Sequence, residues 1–238
     1  MEAESVAEQP PSEQPPSEHP RVAVRGESHL EVDPEVARIT LTVTARGTDR
    51  RDAIANLTRR NNTALELVRS YGDAVAHVET GSLSITPELS QRGRGERIRA
   101  YDGRVTLSAE ITDFTVLGEL TTRLADLDHT RVSGPYWSLR TNSPAHRRAR
   151  QEAVRQAVVR AREYAEALGT TLTGVVDIAD IGADAAPAAR GMPRPAGFAG
   201  LPANPGAAPE PPALELEPRR QHVRAQVNAR FTMAPPTL

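Results

Sequence analysis

Alternation of polar and apolar side chains at every second position runs through most of this chain and limits what it can fold into. From Val22 to Val32 the even positions Val22, Val24, Gly26, Ser28, Leu30 and Val32 are small or apolar, while Arg21, Arg25, Glu27, His29 and Glu31 lie between them. A period of two places one row of side chains on a dry face and the other in water, which defines a strand and not a helix. After the turn signal Asp33-Pro34 the pattern resumes, with Ala37, Ile39, Leu41, Val43 and Ala45 set against Arg38, Thr40, Thr42 and Thr44. A second strand is therefore predicted as a hairpin partner of the first.

The period then lengthens. Thr48 is placed to cap a helix whose stripe is Ile54, Leu57, Asn61, Leu65, Val68 and Tyr71, with Asn61 as its polar interruption and Gly72 as its terminator. Strands follow over residues 75–85 and 101–111, the second showing Val105, Leu107, Ala109 and Ile111 on one face, with a charged hairpin loop at 91–97 between them. Asp113 caps a second helix carrying Phe114, Leu117, Leu120, Leu124 and Leu127, although Gly118 in its interior costs about 1 kcal/mol. A strand over 131–140 bears Trp137. Ser143-Pro144 then supplies an N-cap and an N1 proline for the longest helix, which ends at Gly169.

That helix presents Ala149, Ala153, Ala157, Ala161, Ala165 and Leu168 at four-residue spacing, save the last step, a stripe small enough to let a sheet or another helix approach closely. A strand over 175–181 follows. A last strand alternates Val223, Ala225, Val227, Ala229, Phe231 and Met233 with polar neighbours. The predicted class is α+β: one continuous antiparallel sheet with three helices packed on it, in the order β-β-α-β-β-α-β-α-β-β. Residues 1–20 are expected to be a disordered acidic, Pro-rich tail, 21–181 the α+β domain, 182–218 a flexible Ala/Gly/Pro-rich insertion, and 219–234 the final strand completing the domain.

Composition narrows the function classes. With aromatics at 3%, the core has to rely on Val, Leu, Ile and Ala. A formal net charge of -2 argues against general attraction to nucleic acid or anionic membrane. No segment is long and apolar enough to span a bilayer. The N-terminus has neither the basic n-region nor the apolar h-region of a secretory signal, so a cytoplasmic location is expected. With no cysteine, thiolate nucleophiles, thiolate metal sites and disulfides are excluded.

A search for chemistry assigns no catalytic, cofactor-binding or metal-ligating residue. The histidines His19, His29, His77, His129, His146 and His222 are dispersed, without the i, i+4 spacing that gathers ligands. Asp126, Asp128, Asp177 and Asp180 have ordinary capping or surface explanations. Gly93-Arg94-Gly95 lacks the third glycine of a dinucleotide fingerprint. Arg92, Arg94, Arg97 and Arg99 read as a solvated hairpin tip, and Arg147, Arg148 and Arg150 as a basic helix start. Without interleaved aromatics, neither group compels RNA binding. Of the adjacent pair Tyr136 and Trp137, one should point inward, Trp137, and the other outward, where Tyr136 would be a candidate contact.

Several local signatures together resemble the SIMPL-domain family: the opening strand with Gly26, the Asp33-Pro34 turn, Arg51-Asp52-Ala53, and Glu79-Thr80 leading into 83–87. Tyr101 at the start of its strand, and Ala165-Glu166-Ala167-Leu168-Gly169 before Val175-Val176-Asp177-Ile178, extend the likeness. The resemblance covers residues 21–181 and 221–233, and rests on the order and spacing of these elements. It implies an antiparallel sheet with helices, frequent ring-like oligomers, no established catalytic residues, and envelope, stress or signalling roles without a common reaction. On this basis a non-enzymatic, self-assembling bacterial protein-interaction module is expected, as a homo-oligomer with no cofactor. The rival reading is a small-ligand-binding stress-response module using Tyr101, Trp137 or Arg104 in a cleft beside the sheet.

Overall fold

A computed structural model describes residues 19–90, 97–180 and 214–237. Residues 1–18 of the expected tail, 182–213 of the expected 182–218 insertion and the tip residues Arg92 and Arg94 lie outside the described residues. The elements are β1 (Arg21–Val32), β2 (Val36–Gly47), α1 (Arg50–Arg69), β3 (Val75–Leu89), β4 (Ile98–Ile111), α2 (Leu117–Ala125), β5 (Thr130–Ser138), α3 (Pro144–Ala167), β6 (Leu172–Asp180) and β7 (Gln221–Met233). Their order is the one the alternation and helical periods predict, and the class is α+β.

The strands divide between two antiparallel sheets, ordered β1-β7-β6 and β3-β4-β2-β5, where one continuous sheet was expected. β1 and β2 do not form a hairpin. β2 has both edges occupied, by β4 and β5, and β1 pairs with β7 instead. The link between them is anchored to the far end of β5: the Glu35 amide donates to the Ser138 carbonyl at 3.0 Å, and its carboxylate accepts from the Arg140 amide at 3.1 Å and the Ser143 hydroxyl at 2.7 Å. Alternation fixes which face of a strand is dry, but not which strand lies beside it.

The chain forms two compact units. One takes residues 19–30, 144–180 and 223–237, and the other 31–90, 97–143 and 214–222. In the second, Ala37, Ile39, Leu41 and Val43 of β2 and Leu107, Ala109 and Ile111 of β4 are wholly buried beneath α1 and α2. The α1 face turned to this core is Ala53, Leu57, Ala64 and Val68, with Ile54 left exposed. Its N-cap is Asp49, not Thr48. The Asp49 carboxylate accepts from the Arg51 and Asp52 amides at 2.7 and 3.0 Å, while the Thr48 hydroxyl bonds the Asp52 carboxylate at 2.8 Å. Asp113 likewise caps a single 3-10 turn, Phe114–Val116, from which α2 continues. Gly118 has a steric reason: a Cβ there would lie 2.1 Å from the carbonyl oxygen of Leu214, so the helix gives up propensity to admit that backbone.

In the first unit the alanine stripe is realised. Ala145, Ala149, Ala153, Ala157, Ala161 and Ala165 of α3 are all buried, and Leu168 beyond them is not. Ala153, Ala157 and Ala161 pack with Val24 of β1 and Val227, Ala229 and Phe231 of β7. Contact is closest at Gly26, where a Cβ would meet the Ala153 carbonyl oxygen at 1.9 Å and the Ala157 amide nitrogen at 2.7 Å. The helix ends on Gly169 at φ +66, with the Thr170 amide bonded back to the Ala165 carbonyl at 2.9 Å.

Because backbone cannot move aside at Gly26, Gly26→Ala should destabilise by about 1–3 kcal/mol or more. Gly81→Ala, whose added carbon meets nothing nearer than the Thr106 carbonyl at 3.7 Å, should change stability by no more than about 0.5 kcal/mol. Thermal unfolding of the pair would show it, and equal midpoints would refute the close packing of α3 on β1.

Candidate functional site

A helix with its side chains is about 10–12 Å across and strands lie about 4.8 Å apart, so one helix covers about two strands. Each sheet pays this geometric penalty at one edge. In the β1-β7-β6 sheet, α3 lies over β1 and β7, and β6 is left with Val175 60%, Val176 40% and Ile178 46% exposed. Among the described residues, β6 is hydrogen-bonded to β7 alone. Val175 and Ile178 stand opposite Phe231 and Ala229, hence on the helix side, with a bulge between Val175 and Asp177. Beside them is an open cavity of about 720 Å³ whose lining includes Val158, Arg162 and Glu166 of α3 and Leu172, Gly174 and Val175 of β6.

In the other sheet α1 packs chiefly on β2 and β4. The edge strand β3 keeps Leu83 67% exposed. A cavity of about 310 Å³ opens there, bounded by Ile54, Leu57, Thr58 and Asn61 of α1, Thr80, Leu83 and Ile85 of β3, and Val105 of β4. Among the described residues no charged side chain lines it. The Asn61 Oδ1 is buried and accepts no hydrogen bond from the described residues. The sequence signals for these surfaces were present: Asn61 within an apolar stripe, and Val175-Val176, where alternation lapses.

The residues singled out for chemistry do not converge. Among the described residues no three His, Asp or Glu side chains gather as a metal site. His77 and His222 approach Glu79 and Glu31 at 3.6 and 3.5 Å, and all four side chains are exposed. Asp126 is the C-cap residue of α2, and Asp177 pairs with Arg230 at 3.5 Å. Asp180 shares a shallow cavity with His146 and Arg150. Arg99 lies 3.8 Å from Glu88, which also binds Arg46. Glu152 pairs with Arg155 at 3.2 Å, not with the basic start of its helix.

Tyr136 is exposed, while Trp137 is half-buried and meets Phe114 edge-on at 4.9 Å and 77°, as their alternation requires. Tyr101, Trp137 and Arg104, the alternative residues for a cleft beside the sheet, are not brought together. Tyr101 stands opposite Gly47 and Trp137 opposite Ala37, which puts them about 30 Å apart along β2. Arg104 lines the other face of the sheet with Thr44, Arg46 and Asp102.

Perturbed acid–base groups have structural causes. Burial first, and then a 2.8 Å hydrogen bond to Glu119, raise the pKa of Tyr71, whose hydroxyl also accepts from Arg123 at 3.1 Å. This links the end of α1 to α2, a contact that the stripe reading of Tyr71 missed. The Thr115 hydroxyl and amide hold Asp113 below its ordinary value, and Gln156 and then Arg155 do the same for Glu152.

These features define a class: an α+β protein of two helix-covered antiparallel sheets, each with one under-covered edge strand. The chain belongs to the SIMPL family, described as a protein of unknown function (DUF541), whose pattern matches residues 22–231. It is also similar to a 26 kDa periplasmic immunogenic protein of Brucella melitensis biotype 1 and to the protein of that name from Brucella abortus strain S19. Each is 24% identical over 168 residues, covering 68% of this chain and 66%, just under two thirds, of the relative. A crystal structure of a protein described as an amidohydrolase/peptidase from Burkholderia cenocepacia aligns at 18% identity over 49% of this chain and 29% of that one. Its TM-score is 0.24, a likeness that carries no functional argument.

The relatives' names overturn the cytoplasmic expectation and point to the periplasm. That expectation rested on the absence of leader features at the start of the sequence. No helix among the described residues is long and apolar enough to cross a membrane.

Folding lowers the Asp113 and Glu152 pKa values, so their contributions are present above the ordinary values of 3.8 and 4.5 and are lost as pH falls through the lower folded values. Urea unfolding of Asp113→Ala should therefore show a lower midpoint at pH 7 and a smaller stability difference between about pH 7 and pH 3 than the parent. An unchanged acid limb would show that the cap is not formed.

Proposed function

We propose that this chain is a periplasmic, non-catalytic module that self-assembles through the exposed edge of β6, without metal or cofactor. The observation that carries this reading is the set of exposed apolar side chains Val175, Val176 and Ile178, on a strand whose second hydrogen-bonding edge is unpaired among the described residues. Full burial of a Val or Ile side chain contributes about 1.5–3 kcal/mol, so three half-covered side chains offer several kcal/mol to a partner surface before any backbone pairing. Asp177, Asp180 and the bulge act as selectors, because they disfavour pairing with an arbitrary strand.

A second copy is the occupant because the edge can pair with itself. In an antiparallel arrangement about Val176, Asp177 faces Val175 and Asp180 faces Leu172, so no like charges stand directly opposite. The perturbed groups support a non-catalytic role, since each has a capping, same-helix or helix-linking partner.

Light scattering on size-separated protein should give a mass above the 25.7 kDa of one chain. Val175→Lys with Ile178→Lys should shift it toward the single-chain mass without loss of circular dichroism. A parent protein that is strictly monomeric at micromolar concentration would sink the proposal. Osmotic-shock fractionation should recover the protein with periplasmic markers, and recovery with the cytosol would remove the compartment from this reading.

A further inference from the structure

We infer that the segment from Leu214 to Leu216 is a latch: seated on α2, it holds β7 in its sheet and so decides whether the assembling edge of β6 is in place. The latch is seen in its seat. The Leu214 carbonyl oxygen lies only 2.1 Å from where a Cβ at Gly118 would stand, and the Leu214 amide donates to the Thr122 hydroxyl at 3.4 Å. That hydroxyl in turn donates to the Gly118 carbonyl at 2.9 Å. Two residues on, Leu216 packs against the core beneath α1 and α2. A glycine inside α2 weakens the helix and admits this stretch of backbone, so the seat is shaped for its occupant.

β7 begins at Gln221, so residues 217–220 alone separate it from the seat. Arg220 pairs with Asp33 at 3.3 Å and with Glu31 at 3.8 Å, and His222 approaches Glu31 at 3.5 Å, at the end of β1. These side chains are exposed and their pairs hold weakly, which leaves the Gly118 notch and Leu216 as the main restraint. β7 lies between β1 and β6, and among the described residues it is the sole hydrogen-bonded neighbour of β6. When β7 leaves, β6 loses its ladder, and the edge offered to a second copy goes with it. That consequence rests on the proposed pairing through β6, whereas the hold on β7 does not. Loop length sets the size of the effect. With the seat filled, pairing Val227 with Asp180 closes the chain from 217 to 226; with it empty, the loop is all of 181 to 226. Closure falls as the three-halves power of length, so emptying the seat frees β7 about tenfold more often.

Two insertions of about 30 Gly/Ser residues in the full chain, read by amide hydrogen exchange, separate a latch from mere chain length. Placed after Pro218, the insertion leaves the seat filled but slackens its hold. Amides of residues 223–233 should then exchange roughly eightfold faster than in the parent, while those of β2 and β4 keep their rates. Placed between residues 196 and 197, ahead of the seat, the same insertion should leave β7 rates within about twofold of the parent. In Gly118→Val, which blocks the seat, the two insertions should act alike; if that variant does not fold, the insertion pair still decides. Equal effects of the two insertions in the parent sequence, or no effect after Pro218, would overturn the latch. Light scattering on the Pro218 insertion should also show a fall toward the single-chain mass. An assembled parent with unchanged β7 exchange refutes the latch alone, and faster exchange in a parent that is already monomeric supports the latch and refutes the pairing through β6.

Discussion

β2 is hydrogen-bonded along both edges and buries an unbroken row of side chains on one face, and the larger unit depends on it. Ala37, Ile39, Leu41 and Val43 lie beneath the helices, while β4 and β5 supply the flanking ladders. A one-residue slip would turn this row into water and bring Arg38, Thr40 and Thr42 into the core. The register is thereby fixed on two sides at once. The same double pairing leaves no room for β1, which completes a separate sheet.

The smaller unit solves its packing problem differently. Its helix has little apolar bulk to offer and gains contact by proximity: alanines on α3 and Gly26 on β1 let two backbones meet at a distance that larger side chains forbid. Dispersion contacts and excluded water replace the large side chains of an ordinary core. The arrangement has a limited span. A single helix cannot shield three strands, so the burden falls on β6, and a similar shortage of cover exposes β3.

Much of this architecture is legible in the sequence because strand and helix periods are strong and their caps nearly correct. The element order, the buried alanine stripe and the inward Trp137 follow from side-chain direction alone. Strand partnership does not, since β1 and β2 carry dry faces suited equally to a shared sheet or to two. Capping shifted by a single residue at α1 because Asp49 and Thr48 are adjacent good caps and only backbone geometry separates them. The candidate surfaces were harder to foresee, because they arise from incomplete helix cover and not from any motif. Asn61 was visible as an exception, but its unmet acceptor became apparent only with its neighbours in place.

The smaller unit joins distant stretches of chain: Glu27 of β1 and Gln226 of β7 interact across 199 positions. The larger unit is nearly contiguous over residues 31–143. During synthesis, β1 therefore emerges well before β7 and must wait for it before its sheet can close. Until then Val22, Val24 and the alanines of α3 have no lasting partner, which gives a chaperone a defined interval and a defined apolar strand to protect.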